Sequence, residues 1–286
     1  MAQGRIAILT PDAESDGYST RWPDVLARLA APLRAAGVEV EGRSWTEPDL
    51  SGFDLVLPLL AWGYHHGNGR WAERVADWQA AGLALRNPPS VLRWNADKTY
   101  LARLEAKGAP IVPTLYADRL TEEALRDASA RFGTDRLVAK PQVSAGAWQT
   151  IRWSPGAAFD DGPSGPAMIQ PYLRSIETDG EVSLLYFAGR FSHAISKRPQ
   201  PSDFRVQPEY DGIIARYDPA PDERAAAEAA LAAVDEDLLY ARVDLVRGLD
   251  GRPALMELEL VEPDLYLGYD PEQGAAFAAA VRAAIA

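Results

Sequence analysis

The chain has 286 residues, of which 47% are hydrophobic and 24% charged; it carries 29 Lys and Arg against 41 Asp and Glu, a net charge of −12, and no cysteine. This is the composition of a folded protein with sequence for roughly one to three domains. It excludes disulfides, thiolate metal sites and a cysteine nucleophile, and the negative surplus repels a phosphate backbone and an anionic bilayer alike, so neither nucleic acid nor membrane is an expected partner.

In chain order, residues 5–10 read as a first strand and not as the apolar core of a signal peptide. The longest apolar run, 55–62, is far short of the ~20 residues of a membrane span, so a cytoplasmic protein is expected. After a polar loop, Trp22, Val25, Leu26, Leu29, Leu33 and Ala36 recur at helical spacing, with Pro23 early and Gly37 just past the end. Residues 38–41 alternate as a short strand, 54–60 form a buried strand that runs into the polar loop 62–69, and 71–81 are helical. Strand and helix alternating in this way predict an open α/β domain over residues 1–93.

A helix is expected from 95 to 107, capped by Asn95 or Asp97 and stopped by Gly108-Ala109-Pro110. A second opens at Thr121-Glu122-Glu123 and ends by Gly133. Residues 136–141 are a strand ending on Lys140-Pro141, and 148–153 a further strand. The Gly/Pro/Asp-rich stretch 154–166 reads as the joint between a subdomain over 94–166 and another over 167–286. The last part shows two hairpins, 181–187 with 190–197 and 240–246 with 253–260, an Ala-rich helix over 222–235 between them, and a terminal helix over 272–285. No glycine-rich phosphate loop of the Walker or dinucleotide type is present.

The second hairpin carries the most chemistry. Asp-Gly is the favoured pair for a tight hairpin turn, and with Asp250-Gly251 at its centre Asp244 lies directly opposite Glu257, with Glu259 on the same face and Val243, Leu245, Leu258 and Leu260 on the other. Opposed like charges are destabilising. A hard divalent cation such as Mg²⁺ would compensate them; a slipped register that leaves them on a solvated edge would avoid the problem, and geometry alone leaves both open. Lys98, opening a helix, and Lys140, ending a strand, stand where side chains can enter a cleft, although a lone lysine is most often a solvated surface charge. In the first hairpin, a turn at Ala188-Gly189 places Glu181 opposite Ser196 and on the face of Arg198. Taken alone, Arg198 and Arg205 read as loop charges.

In order and spacing, Asn95-Ala96-Asp97-Lys98-Thr99, Lys107-Gly108-Ala109-Pro110, Val138-Ala139-Lys140-Pro141, Ile169-Gln170-Pro171-Tyr172, Lys197-Arg198-Pro199, Arg242-Val243-Asp244 and Met256-Glu257-Leu258-Glu259 resemble the ATP-grasp superfamily, its glutathione-synthetase-like branch in particular, over about residues 85–265. A closer likeness, mainly over residues 181–207, is to the cyclo-ligases that form D-cycloserine from O-ureido-D-serine and to uncharacterised relatives of them. The resemblance implies a mixed α/β and α+β chain, an ATP-grasp fold with an N-terminal open α/β domain, and ATP held between two α+β subdomains. It assigns Lys98 and Lys140 to the phosphates, Gln170, Pro171, Tyr172 and Leu173 to the adenine edge, and Glu181 to a place near the nucleotide. Arg198 and Arg205 are assigned to the transferred phosphoryl group, and Asp244, Glu257 and Glu259 to Mg²⁺, with Mn²⁺ as the alternative ion. Two departures stand out: Glu259 replaces the usual Asn, and the lid loop 142–148 has fewer glycines than is common.

The implied reaction is carboxylate activation. A carboxylate attacks the γ-phosphoryl of ATP to give an acylphosphate and ADP, and an amine displaces phosphate to form an amide, with cations in place of a protein nucleophile. The partner is a small amino-acid-like substrate, a homodimer is compatible with the family, and a small-molecule kinase or a non-catalytic nucleotide-binding regulator are the alternatives. Ligands of open α/β sheets bind beyond the carboxyl ends of the strands. Asp12, Tyr18 and Arg21 on the first loop, with Tyr64, His65, His66 and Asn68 on the later one, are therefore candidate substrate contacts, each equally readable as a loop-stabilising group.

Overall fold

The computed structural model describes residues 4–12, 21–199 and 212–286; Tyr18 and Arg205 lie outside them. The N-terminal unit comprises β1 (Arg5–Thr10), α1 (Trp22–Ala35), β2 (Glu39–Ser44), β3 (Leu55–Leu57), α2 (Asn68–Ala80) and α3 (Pro89–Trp94), with the strands in one parallel sheet of order β2-β1-β3. A parallel sheet covered on both faces explains the unbroken apolar run of β1. Ile6 and Ile8 face α1 through Val25, Leu29 and Leu33, while Ala7 and Leu9 face Trp71, Val75 and Trp78 of α2. Pro23 starts α1 and Gly37, at φ 85°, allows the chain to leave it.

The helix expected over 95–107 starts later and is shorter, α4 spanning Tyr100–Ala106, with the separate short helix α3 ending before it at Trp94. Asn95 is not a cap. It is buried, and its amide spans two backbone groups of a distant strand, donating to the Leu258 carbonyl at 2.7 Å and accepting from Leu260 N at 2.9 Å.

A four-stranded sheet follows, built from β4 (Leu115–Ala117), β5 (Leu137–Pro141), β6 (Ile151–Trp153) and β7 (Ala167–Pro171) in the order β4-β7-β5-β6. It is covered by α5 (Glu122–Phe132), whose Leu125 and Ala128 pack on Leu137, Ala139 and Ile169. Thr121 caps α5, accepting from Ala124 N at 3.1 Å, and Gly133 ends it at φ 66°. The stretch 154–166 joins β6 to β7 within this one sheet, so the passage to the next sheet runs through residues 172–180, which include the short helix α6 (Ser175–Thr178).

The third sheet is antiparallel, order β10-β9-β8-β11-β12, from β8 (Glu181–Phe187), β9 (Arg190–Arg198), β10 (Ile213–Tyr217), β11 (Tyr240–Arg247) and β12 (Pro253–Glu259). The alanines of α7 (Pro221–Ala232), among them Ala226, Ala227 and Ala230, share a core with Val243, Leu245 and Leu258. The last helix, α8 (Ala275–Ile285), returns to the N-terminal unit, where Phe277 and Val281 share the core of Ile6, Ile8 and Leu33. No helix among the described residues is long and apolar enough to cross a membrane.

Two β-bulges set the registers that matter. Asp244 does pair with Glu257, but not through a tight Asp250-Gly251 turn. The loop is longer, closing on the pair Arg247 and Pro253, and one extra residue at Met256 restores the alignment between Leu245 and Asp244. In the other hairpin Ala188 and Gly189 do form the turn, at φ 46° and 74°. A bulge at Ser192 then shifts the register, so Glu181 faces Lys197 and not Ser196.

Candidate active site

A cavity of about 270 Å³ opens between the four- and five-stranded sheets, with Arg21, Trp62 and Tyr64 of the N-terminal unit on one wall. It gathers Lys98, Lys140, Gln170, Pro171, Tyr172, Leu173, Glu181, Asp244, Glu257 and Glu259, all expected from the sequence. It also gathers Lys197, Arg242, Glu262, Asp264 and Tyr266, which were not.

The floor is a face of β8, β9, β11 and β12. Asp244 accepts from Ser183 Oγ at 2.5 Å, from Arg242 Nε at 3.0 Å and Nη2 at 2.9 Å, and from Lys197 Nζ at 3.3 Å. Burial alone would raise its pKa, but Arg242 and Lys197 hold it well below the carboxylate range. Lys197 also bonds Glu181 at 2.7 Å. Against burial and the charge of Arg242, the carboxylates of Asp244 and Glu181 hold its ammonium above the ordinary value. The Tyr266 ring, carried on a backbone at φ 46°, sits 5.6 Å from both Lys197 Nζ and the Arg242 guanidinium. Arg242 Nη2 further pairs with Glu259. Burial, with Glu257 and Asp244 nearby, still pushes Glu259 well above the ordinary value.

Glu257 is paired with Lys98 Nζ at 2.9 Å, and against burial Lys98 and Lys140 keep it below the ordinary value. The repulsion expected between Asp244 and Glu257 is therefore answered by the protein's own cations. Lys98 also reaches the loop 142–148, donating from Nζ to the Ser144 carbonyl at 2.6 Å and from its backbone N to Gln142 O at 2.8 Å. Lys140 differs from the other cavity cations. Its contact is Met256 Sδ at 3.7 Å, with no carboxylate in ion-pair range among the described residues, and burial depresses its pKa.

No closed set of three His, Asp or Glu ligands exists among the described residues. The side chains of Glu257 and Glu259 are nevertheless 28% and 26% open to the cavity, against 3% for Asp244. An oxygen-only, one-sided donor set fits Mg²⁺, which ordinarily completes its shell with water and substrate phosphates.

At the hinge, Gln170 is buried and donates to Thr114 Oγ1 at 2.9 Å, while the Arg136 guanidinium stacks 4.5 Å from the Tyr172 ring. Val138, Leu173, Ile176 and Met256 form an apolar wall beside them, suited to a flat ring.

Several expected contacts lie elsewhere. Arg198 is exposed and lines a separate pocket with Asp179 and Tyr217, because the bulge in β9 turns Lys197 inward and Arg198 out. Asp12 holds its own loop, pairing with Arg70 at 3.0 Å and Thr46 at 3.2 Å. Asn68 is exposed at the start of α2. His65 is half-buried and packs on Tyr64, His66 and Trp148; burial, with the charges of His66 and Lys98, lowers its pKa to about 4. Arg242 was legible in principle, since strand alternation places it on the face of Asp244. The inward turn of Lys197 depends on a bulge that no local residue signals.

Two α+β units closing on a charged cleft recur in solved ligases. A D-alanine–D-alanine ligase from Bacillus anthracis aligns with TM-score 0.67 at 17% identity, covering 97% of this chain and 92% of that one. The ATP-grasp ligase PsnB, in complex with Mg and ADP, aligns with TM-score 0.67 at 15% identity over 100% and 99% of the two chains. The fold is that of the ATP-grasp enzymes.

Residues 6–87 match the family described as D-cycloserine synthetase DcsG, N-terminal domain. The cycloserine biosynthesis protein DcsG of Streptomyces lavendulae is 34% identical over 282 residues, covering 88% of this chain and 91% of the relative. The crystal structure of D-cycloserine synthetase DcsG aligns with TM-score 0.84 at 29% identity over 99% and 100% of the chains. The chain belongs to the DcsG family of ATP-grasp ligases, and is an ATP-dependent enzyme that joins carboxylate to amine.

Proposed function

We propose that this enzyme activates the carboxylate of a small amino-acid-like substrate as an acylphosphate and closes it onto an amine of the same molecule, the ring-forming reaction for which the DcsG proteins are named. The observation that carries the phosphoryl half of this reading is Lys140: among the described residues it is the cavity lysine with no carboxylate partner, on the strand end facing Lys98 and Glu257. A phosphate supplies the missing counter-charge. Lys98 reaches the same phosphates once it releases Glu257, and the hinge 170–173 takes the adenine edge.

Glu257 and Glu259, with Asp244 behind them, would hold Mg²⁺ or Mn²⁺. When bound, the ion would supply neutralisation of phosphate charge. Arg242, already oriented by Asp244 and Glu259, takes the place beside the transferred phosphoryl that the family resemblance assigns to Arg198. Arg21 and Tyr64 face the substrate from the N-terminal wall. ATP dependence supports a cytoplasmic site for the reaction.

Incubation with O-ureido-D-serine or other amino acids, ATP, Mg²⁺ and hydroxylamine tests this. An amino-acid hydroxamate together with ADP is expected; AMP and pyrophosphate, or a stable phosphorylated product, would overturn the acylphosphate route.

A further inference from the structure

The lid loop contains a segment that the catalytic reading leaves unused. Gly146, Ala147 and Gln149 all have positive φ, at 60°, 58° and 51°, and the turn is tied by Trp148 N to Ala145 O at 3.2 Å and Thr150 N to Ala147 O at 3.1 Å. Left-handed backbone at Ala and Gln is sparsely populated and persists where surrounding contacts hold it. The strain lifts Trp148 onto the crest of the turn, where it remains 43% exposed, one of the few large apolar side chains so placed among the described residues. Its neighbours Gly146 and Ala147 line the cavity, while its own ring contacts the other side of the cleft. The centroid distances are 5.5 Å to His66, edge-on, and 6.5 Å to His65.

The rings of His65 and His66 lie 4.0 Å apart, tilted by 43°, and His65 abuts Tyr64, a cavity-wall residue. An indole from the lid and two imidazoles from the N-terminal unit thus meet over the mouth of the cleft. The lid is anchored a second time at its base, through the bonds of Lys98 to Gln142 and Ser144.

We infer that Trp148 is a positioning residue that latches the lid to His65 and His66, and that this latch keeps water from the acylphosphate until the amine attacks. The inference rests on the ligase reading. Without the latch, water adds to the acyl carbon, the bond from that carbon to the phosphate oxygen breaks, and phosphate leaves. The carboxylate is regenerated, a proton passes to solvent, and ATP has been hydrolysed without product. Excluding water from a reactive intermediate is a recognised use of lid closure.

The test measures ADP and cyclised product together, with O-ureido-D-serine as substrate, in the wild type, Trp148→Ala, Trp148→Phe, His66→Ala and the Trp148→Ala/His66→Ala double variant. The ratio of ADP to product should stay near one in the wild type, rise about threefold or more in Trp148→Ala, and fall most of the way back in Trp148→Phe. His66→Ala should leak as well, and the double variant should be no worse than the worse single one, because both remove one contact. An unchanged ratio in Trp148→Ala would overturn the latch while leaving the ligase intact. A wild type that releases no ADP would instead defeat the ligase reading. The release rate of a fluorescent ADP analogue needs no turnover and decides the case where Trp148→Ala makes neither ADP nor product: release several-fold faster than wild type supports the latch, and an equal rate overturns it.

Discussion

On the floor of the cleft, Ser183, Lys197 and Arg242 converge on Asp244, Glu259 is held by Arg242 and Glu257 by Lys98. At its mouth, Trp148 leans on two imidazoles from a turn with three positive φ angles and stays partly exposed. The floor lies on hydrogen-bonded strands, where Lys197 and Arg242 share Asp244 and each also holds a second carboxylate, Glu181 and Glu259. The mouth lies on loops, where contacts form and break at small cost. Such a division suits a chemistry in which charge must already be in place when the phosphoryl group moves, while the substrate must still enter and leave.

The sharpest attempt to break this contrast is Asp244→Ala. It leaves Lys197 and Arg242 buried with one carboxylate each, Glu181 and Glu259, and no longer the one they share, so the cost approaches the about 3–5 kcal/mol of breaking a buried pair. Urea unfolding should show a loss of that size; a loss below about 1 kcal/mol would mean that the floor is not a cooperative network.

Lys140→Ala removes a cation with no carboxylate partner, so stability should change little while ATP affinity falls about tenfold to a hundredfold, the range of hydrogen bonds to charged groups. Calorimetric titration with MgATP measures it, and an unchanged Kd would remove Lys140 from the phosphate site.

The smallest effect belongs to the mouth. Burial brings the pKa of His65 from 6.5 down to about 4, so between those values the unfolded chain binds a proton that the folded one resists. Its share of stability is complete above 6.5 and lost as pH falls toward 4. His65→Asn should flatten that portion of the stability curve, and an identical pH dependence in the variant would show that the ring is solvated.

What the sequence made legible follows the range of the signal. The helix from Thr121 to Gly133 declares itself through a cap and a left-handed stop within one short segment. The strand pairing of Asp244 with Glu257 was reached through two errors that cancel, a longer loop and an extra residue at Met256. The neighbouring hairpin has one bulge and no such cancellation, so Lys197 was hidden and Arg198 wrongly turned inward. Asn95 looked like a cap because caps are local, whereas its partners Leu258 and Leu260 are remote in sequence. The family resemblance supplied the nucleotide and the metal; it could not supply the cations that neutralise the floor before either arrives.

The return of α8 to the first sheet has a consequence for synthesis. Phe277 and Val281 complete the core around Ile6, Ile8 and Leu33, and Leu185 and Phe187 of β8 join the same cluster. A nascent chain emerging from the ribosome holds one face of β1 and α1 partly uncovered until α8 is released. Contacts so distant along the chain slow folding and prolong the exposure of apolar surface. The N-terminal wall of the cleft, although encoded before α8, becomes solid only after it, and a ribosome that stalls before α8 leaves a chain whose later sheets have their strands while the core of β1 and α1 lacks Phe277 and Val281.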